Sequence, residues 1–297
     1  MSVHRTTDAR FDDLPDFPYA PRYVTTDDGL RVHYVDEGDG PTVVALHGEP
    51  TWAYLYRHVI AGLAPDHRVV VPDFPGFGRS DKPTDRDAYT LDLHLDALHT
   101  LFEALDLSDV TLVVQDWGGL IGLTYAVRHS ERIARLVVMN TFLPVGTPGE
   151  KSDAFLQWRS FVESHPDLPV SLVVRRGLSS PRQMTEAEAQ AYDAPFPTPE
   201  AKAGAVAWPL MIPMTPDDPV AKAMRDTRER LQSWAKPALV LFAPDDPILG
   251  AAHSFFSDLI PTVTDATTVM VDEASHFLQE EQGPLLAQHI RDFISHP

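Results

Sequence analysis

An acidic residue placed between an apolar strand and a helix is the first sign of chemistry in this chain. In Val113-Val114-Gln115-Asp116-Trp117-Gly118-Gly119 a buried run meets a helix start through an aspartate, an aromatic residue and two glycines. This is the outline of a nucleophile elbow. The sharp turn lifts one side chain above the sheet, glycine two residues on allows close packing, and the helix N-terminus favours negative charge. Such elbows ordinarily carry serine, with glycine two residues before it; here those positions hold Asp116 and Val114. A carboxylate nucleophile attacks a carbon that bears a leaving group and forms an ester, which suits alkyl halides and epoxides better than amides.

Three more segments offer partners. Leu46-His47-Gly48-Glu49-Pro50-Thr51-Trp52 also follows an apolar run, and its glycine lets backbone N–H groups approach the elbow and donate to a developing oxyanion. Ala243-Pro244-Asp245-Asp246-Pro247-Ile248 presents an acid after a late strand, at Asp245 or Asp246, and Ala274-Ser275-His276-Phe277 presents a histidine before the final helix. The order nucleophile, acid, histidine is that of the α/β-hydrolases.

The elements that must hold these residues alternate in type. Thr42–Leu46, Arg68–Val71, Thr111–Val114, Leu136–Met139 and Ala238–Phe242 are near-continuous apolar runs, as expected of parallel strands covered on both faces. Leu91 to Leu105, Gly119 to His129 and Leu285 to Ile294 carry apolar residues at helical spacing. The class is α/β, with a mostly parallel central sheet, helices on both faces, and reactive residues at the C-terminal ends of strands. A proline-rich stretch with helical pieces interrupts the alternation, so the expected division is a core of residues 1–143 and 226–297 and an inserted helical cap of residues 144–225. That insertion is the candidate lid.

Composition excludes several classes. A formal net charge of -19, from 24 basic and 43 acidic residues, argues against nucleic acid and anionic membrane surfaces, which need clustered Lys and Arg. The chain has no cysteine, which removes disulfides and thiolate chemistry. Met1 to Pro15 is polar and no stretch approaches the ~18 apolar residues of a membrane span, so a cytoplasmic protein, monomeric by default, is expected. No metal-ligand spacing is present.

Taken together, these motifs resemble the haloalkane dehalogenases over nearly the whole chain, in particular the subgroup whose oxyanion loop reads His-Gly-Glu-Pro-Thr-Trp, here His47 to Trp52. Asp73-Phe74-Pro75-Gly76-Phe77-Gly78-Arg79-Ser80, Met184-Thr185-Glu186-Ala187-Glu188 and Ala194-Pro195-Phe196-Pro197 support the resemblance. It implies the α/β-hydrolase fold and hydrolysis of small halogenated alkanes by water to alcohol, halide and proton, without a cofactor. It further implies that Asp116 is the nucleophile, that Asp246 rather than Asp245 orients His276, and that His276 activates water. A related subgroup places the acid after the strand ending at Met139, where this chain has Asn140.

A departing halide needs donors in a dry pocket, and indole N–H is donor only. The resemblance assigns this task to Trp117, whose backbone N–H joins that of Glu49 in the oxyanion hole, and to a second tryptophan from the cap. Trp158 is the choice and Trp208 the competitor. An ionised Glu49 cannot donate to halide; the resemblance gives its carboxylate the positioning of the hydrolytic water. Phe161, Leu172, Leu178, Trp208, Leu210 and Ile212 are the expected apolar cap lining, with Leu249 and Phe277 from the core.

Three other readings compete. An epoxide hydrolase would resemble this chain in fold and nucleophile but needs paired cap tyrosines, whereas the expected cap holds Tyr192 alone. A haloacetate dehalogenase would carry arginine where Trp117 stands. A non-catalytic receptor would keep the triad and bind ligand without turnover.

Overall fold

The structure is a computed structural model that describes residues 2–179 and 184–296; residues 180–183 of the expected cap lie outside it. Its strands in chain order are β1 (Val3–His4), β2 (Arg22–Thr25), β3 (Arg31–Glu37), β4 (Thr42–Leu46), β5 (Arg68–Pro72), β6 (Lys82–Pro83), β7 (Val110–Gln115), β8 (Ile133–Met139), β9 (Ala238–Phe242) and β10 (Thr268–Met270). Eight of them form one sheet in the order β10-β9-β8-β7-β4-β5-β3-β2, while β1 pairs with β6 apart from it. The five expected runs are neighbours in the middle, all parallel. Strand β7 is buried at every residue, as its unbroken apolar run requires.

The two antiparallel strands at one edge, β2 and β3, were not among the expected strands. No residue of β2 is buried, and in β3 the buried run of residues 32–35 includes His33, whose Nδ1 pairs with Asp73 Oδ2 at 2.7 Å, so neither strand shows an unbroken apolar run. Gly29 turns between them at φ +88, in the left-handed region.

The helices are α1 (Arg57–Leu63), α2 (Leu91–Ala104), α3 (Trp117–Arg128), α4 (Asp153–Ser164), α5 (Val170–Arg176), α6 (Glu186–Asp193), α7 (Ala203–Met211), α8 (Pro219–Leu231), α9 (His253–Leu259) and α10 (Leu278–Ser295). From β4 the chain steps to β5 on one side, then recrosses to β7 on the other. Right-handed crossovers therefore put α1 on one face and α2 and α3 on the opposite one. The packing of α1 with α10, and of α3 with α2 and α8, agrees. The reversal at β4 and β7 is the switch point of the sheet, where a crevice opens beyond the strand ends.

Between β8 and β9 lie α4 to α8, with α4 packed on α7 and α5 on α6. Thr185 opens α6 with a capping box to Glu188. The expected boundary at 225/226 falls inside α8. That helix is continuous from Pro219 to Leu231 and buries Val220, Ala221, Met224, Thr227 and Leu231 at helical spacing, so it packs as one unit on α3. Among the described residues no helix is long and apolar enough to cross a membrane.

Candidate active site

Asp116 stands between β7 and α3 with φ 49 and ψ -125, in a left-handed conformation that costs a non-glycine residue roughly 1–3 kcal/mol. Its surroundings hold it there. The Asp116 N–H donates to the Asn140 carbonyl at 2.9 Å, and its own carbonyl accepts from Thr141 Oγ1 at 2.6 Å and from the Gly119 N–H at 2.9 Å. A Cβ on Gly118 would run into the Leu46 carbonyl oxygen, so only glycine lets α3 approach β4 this closely.

The oxyanion loop leaves β4 beside the elbow. The Glu49 N–H donates to Asp116 Oδ1 at 2.7 Å, and the Trp117 N–H also bonds the carboxylate. The loop is pinned from behind by His47, which accepts from the Phe74 N–H at 3.0 Å through Nε2 and donates through Nδ1 to the Gly48 carbonyl at 3.0 Å.

His276 faces both acids. Its Nδ1 lies 2.9 Å from Asp246 Oδ2, and its Nε2 lies 3.8 Å from Asp116 Oδ2. Asp246 Oδ1 accepts the N–H groups of Ile248 at 2.9 Å and Leu249 at 3.0 Å, and Asn140 Nδ2 donates to Oδ2 at 2.9 Å. Burial raises the Asp246 carboxyl, but the charge and hydrogen bond of His276 together with these donors hold it below the usual range. For His276, burial works downward and is outweighed by Asp246 and then Asp116, which push it up to about 9.

Burial also raises Asp116, against the pull of His276 and the two backbone N–H groups. Glu49 is pushed well above the ordinary carboxylate value by burial and by the neighbouring Asp116 charge.

These groups line a cavity of about 900 Å³. Trp117, Trp158, Phe161, Ile212, Leu249 and Phe277 line it. Trp208 does not: it is fully buried, and its Nε1–H is already donated to His94 Nε2 at 2.7 Å. Leu178 and Leu210 lie off the cavity too, and Leu172 is 40% exposed. Tyr192 is buried away from the cavity with its hydroxyl bound to Glu280 Oε2 at 2.6 Å. Among the described residues no cluster of three or more His, Asp or Glu could hold a metal ion.

From the sequence, Asn140 stands only where the related subgroup carries its acid. In the fold it is the amide that orients Asp246 and, through Oδ1, accepts the Ala243 N–H at 2.8 Å. Gln115, which the elbow motif includes without a role, donates through Nε2 to the His276 carbonyl at 3.1 Å. Polar residues ending otherwise apolar strands were the available signal for both.

A family model described as alpha/beta hydrolase fold matches residues 41–173. A haloalkane dehalogenase of Mycobacterium marinum is 46% identical over 98% of this chain and 99% of its own length. One from Psychrobacter cryohalolentis is 40% identical over 99% and 98%. Among solved structures, that of the tetrameric haloalkane dehalogenase DpaA from Paraglaciecola agarilytica superposes with a TM-score of 0.89 at 39% identity, covering 97% of each chain.

Proposed function

Because the chain belongs to the haloalkane dehalogenases and hydrolyses carbon–halogen bonds, we propose that it does so in two steps, through Asp116 and then His276. In the first step an Asp116 carboxylate oxygen attacks the halogen-bearing carbon in line with the departing halide, forming an alkyl ester and releasing X⁻. Trp117 and Trp158 receive the halide through their indole N–H groups. In the second step His276 takes a proton from water, whose oxygen adds to the ester carbonyl; the oxyanion rests on the Glu49 and Trp117 N–H groups and collapses to alcohol and free Asp116. The products are alcohol, halide and one proton.

The observation that carries this reading is the convergence on one carboxylate of the Glu49 N–H at 2.7 Å and His276 Nε2 at 3.8 Å, at the wall of an apolar cavity. Electrostatics supports the order of steps. The Asp116 charge helps raise His276 to about 9 in the free protein; alkylation removes that charge, so the imidazole becomes neutral more readily when a base is needed. Glu49, buried beside Asp116, positions the attacking water. The inserted segment acts as the lid; the continuity of α8 from Pro219 to Leu231 supports a second hinge before Pro219.

The test is halide and proton release from 1,2-dibromoethane and 1-bromobutane, with styrene oxide in parallel. Halide release with inert epoxide is expected. Diol formation without halide release would replace this reading with epoxide hydrolysis. The reading includes action in the cytoplasm as a monomer; sedimentation equilibrium tests the latter, and a tetramer, the state named for the Paraglaciecola protein, would replace it.

A further inference from the structure

Trp208 contributes no donor to the cavity, yet its ring touches the groups that do the work there. It sits on α7 with Nε1–H donated across 2.7 Å to Nε2 of His94 on α2. His94 is fully buried and is pushed down to about 3 by that burial and by the nearby His47, so it stays a neutral acceptor. Held in this way, the Trp208 ring stacks on Trp117, with centroids 5.2 Å apart and planes 21° apart. It also lies 5.9 Å from the His47 ring at 29°, behind the oxyanion loop.

The last turn of α7, directly after Trp208, is tied to α4, the helix that carries the second indole. The last carbonyls of a helix have no partner within it. Here Arg159 Nη1 donates to the carbonyls of Pro209 and Leu210 at 2.9 Å each. Arg159 follows Trp158 on α4, so Trp117 and Trp158, which come from different segments, are both referenced to one short helix.

We infer that α7, fastened to the core by the Trp208–His94 hydrogen bond, is the positioning element that sets the separation and tilt of the two indoles facing the halide. The inference rests on the reading that Trp117 and Trp158 bind halide. Trp208 and His94 touch neither substrate nor ion; they act through the placement of Trp117 and the α4–α7 contact.

The test measures bromide affinity by quenching of indole fluorescence, alongside Tm and KM for 1-bromobutane, in His94→Leu, His94→Gln and Trp208→Phe. His94→Leu leaves a buried indole N–H without an acceptor, and Trp208→Phe keeps a stackable ring without the bond. Both are expected to weaken bromide binding by about tenfold, while His94→Gln, which restores an acceptor, stays within about threefold of the parent. Trp208→Phe reads the same quantity if His94→Leu does not fold. Parental bromide affinity in the folded variants, with only Tm lowered, would overturn the inference by reducing the pair to a structural brace. Trp117→Phe separates the premise: parental bromide binding in that variant removes the halide-site reading itself, whereas its loss beside unchanged Trp208→Phe removes only the role of α7.

Discussion

Gly48 lies so close to Asp116 that a Cβ on the glycine would overlap the Cβ and carboxylate of the aspartate. The oxyanion loop and the elbow are packed against each other at this point, and the 2.7 Å bond from the Glu49 N–H to Asp116 Oδ1 depends on that approach. Gly48→Ala must displace the loop or swing the carboxylate. Misplacing a reacting group by an ångström costs about a hundredfold in rate, and that is the expected fall in kcat for halide release. A variant with parental kcat would show that the close approach has no catalytic consequence.

Asp116→Asn removes the nucleophilic charge and one of the groups that raise His276. Halide release is expected to stop. In the same variant the imidazole, followed by NMR, should titrate below the value of about 9 that it holds beside Asp116. Stability changes in step with this. A raised histidine contributes fully below its unfolded value of 6.5 and loses that contribution as pH rises through about 9, so in Asp116→Asn the alkaline loss should be smaller and complete at lower pH. An unshifted His276 titration would sink the claim that the two charges communicate across 3.8 Å.

His276→Phe leaves the first step intact and removes the base of the second. One equivalent of halide per active site is expected, followed by arrest, with Asp116 carrying the alkyl group of the substrate. Mass spectrometry of the intact protein after exposure to 1-bromobutane decides it. An unmodified protein that has released halide would mean direct attack by water rather than an ester.

Tyr192 separates dehalogenation from ring opening. Its hydroxyl is spent on Glu280, which is also gripped by Arg57 at 2.6 and 2.7 Å in a buried cluster. Tyr192→Phe should therefore cost stability, about 1.5–3 kcal/mol for a hydrogen bond to a charged group, and leave kcat for halide release within about twofold. A large loss of activity with unchanged Tm would return Tyr192 to the reaction.

The legibility of this chain in its sequence follows a physical division. Parallel strands buried on both faces announce themselves as unbroken apolar runs, and Thr42–Leu46 and Ala238–Phe242 have the expected ends. Reactive residues at strand ends are also visible, because an aspartate or histidine there has no packing reason to be present. The edge strands β2 and β3 carry no such run. The cap was the least legible part: Trp158 and Trp208 both sit in short helical segments, and only the fold shows that the indole N–H of Trp208 is spent on His94. A side chain's hydrogen-bond partner more than a hundred residues away leaves no local trace.

Asn140 and Asp246 offer a swap that tests the geometry of the acid. They stand side by side, Asn140 Nδ2 to Asp246 Oδ2 at 2.9 Å, and the same Oδ2 receives His276 Nδ1 at 2.9 Å. Asp246→Asn takes away the acceptor that fixes the histidine tautomer, and a fall in kcat on the order of 10³ to 10⁴ is expected by analogy with loss of the triad acid elsewhere. Asn140→Asp alone places two carboxylates in contact, raising the pair against ionisation and lowering activity more mildly. The double exchange restores one acid and one amide with their order reversed. The imidazole then has a carboxylate within a side chain's reach of its Nδ1, and kcat should recover by about tenfold or more over Asp246→Asn. Recovery would mean that the site requires a negative charge near this strand end and tolerates either position. No recovery would mean that the N–H groups of Ile248 and Leu249, which only residue 246 engages, are as necessary as the charge itself.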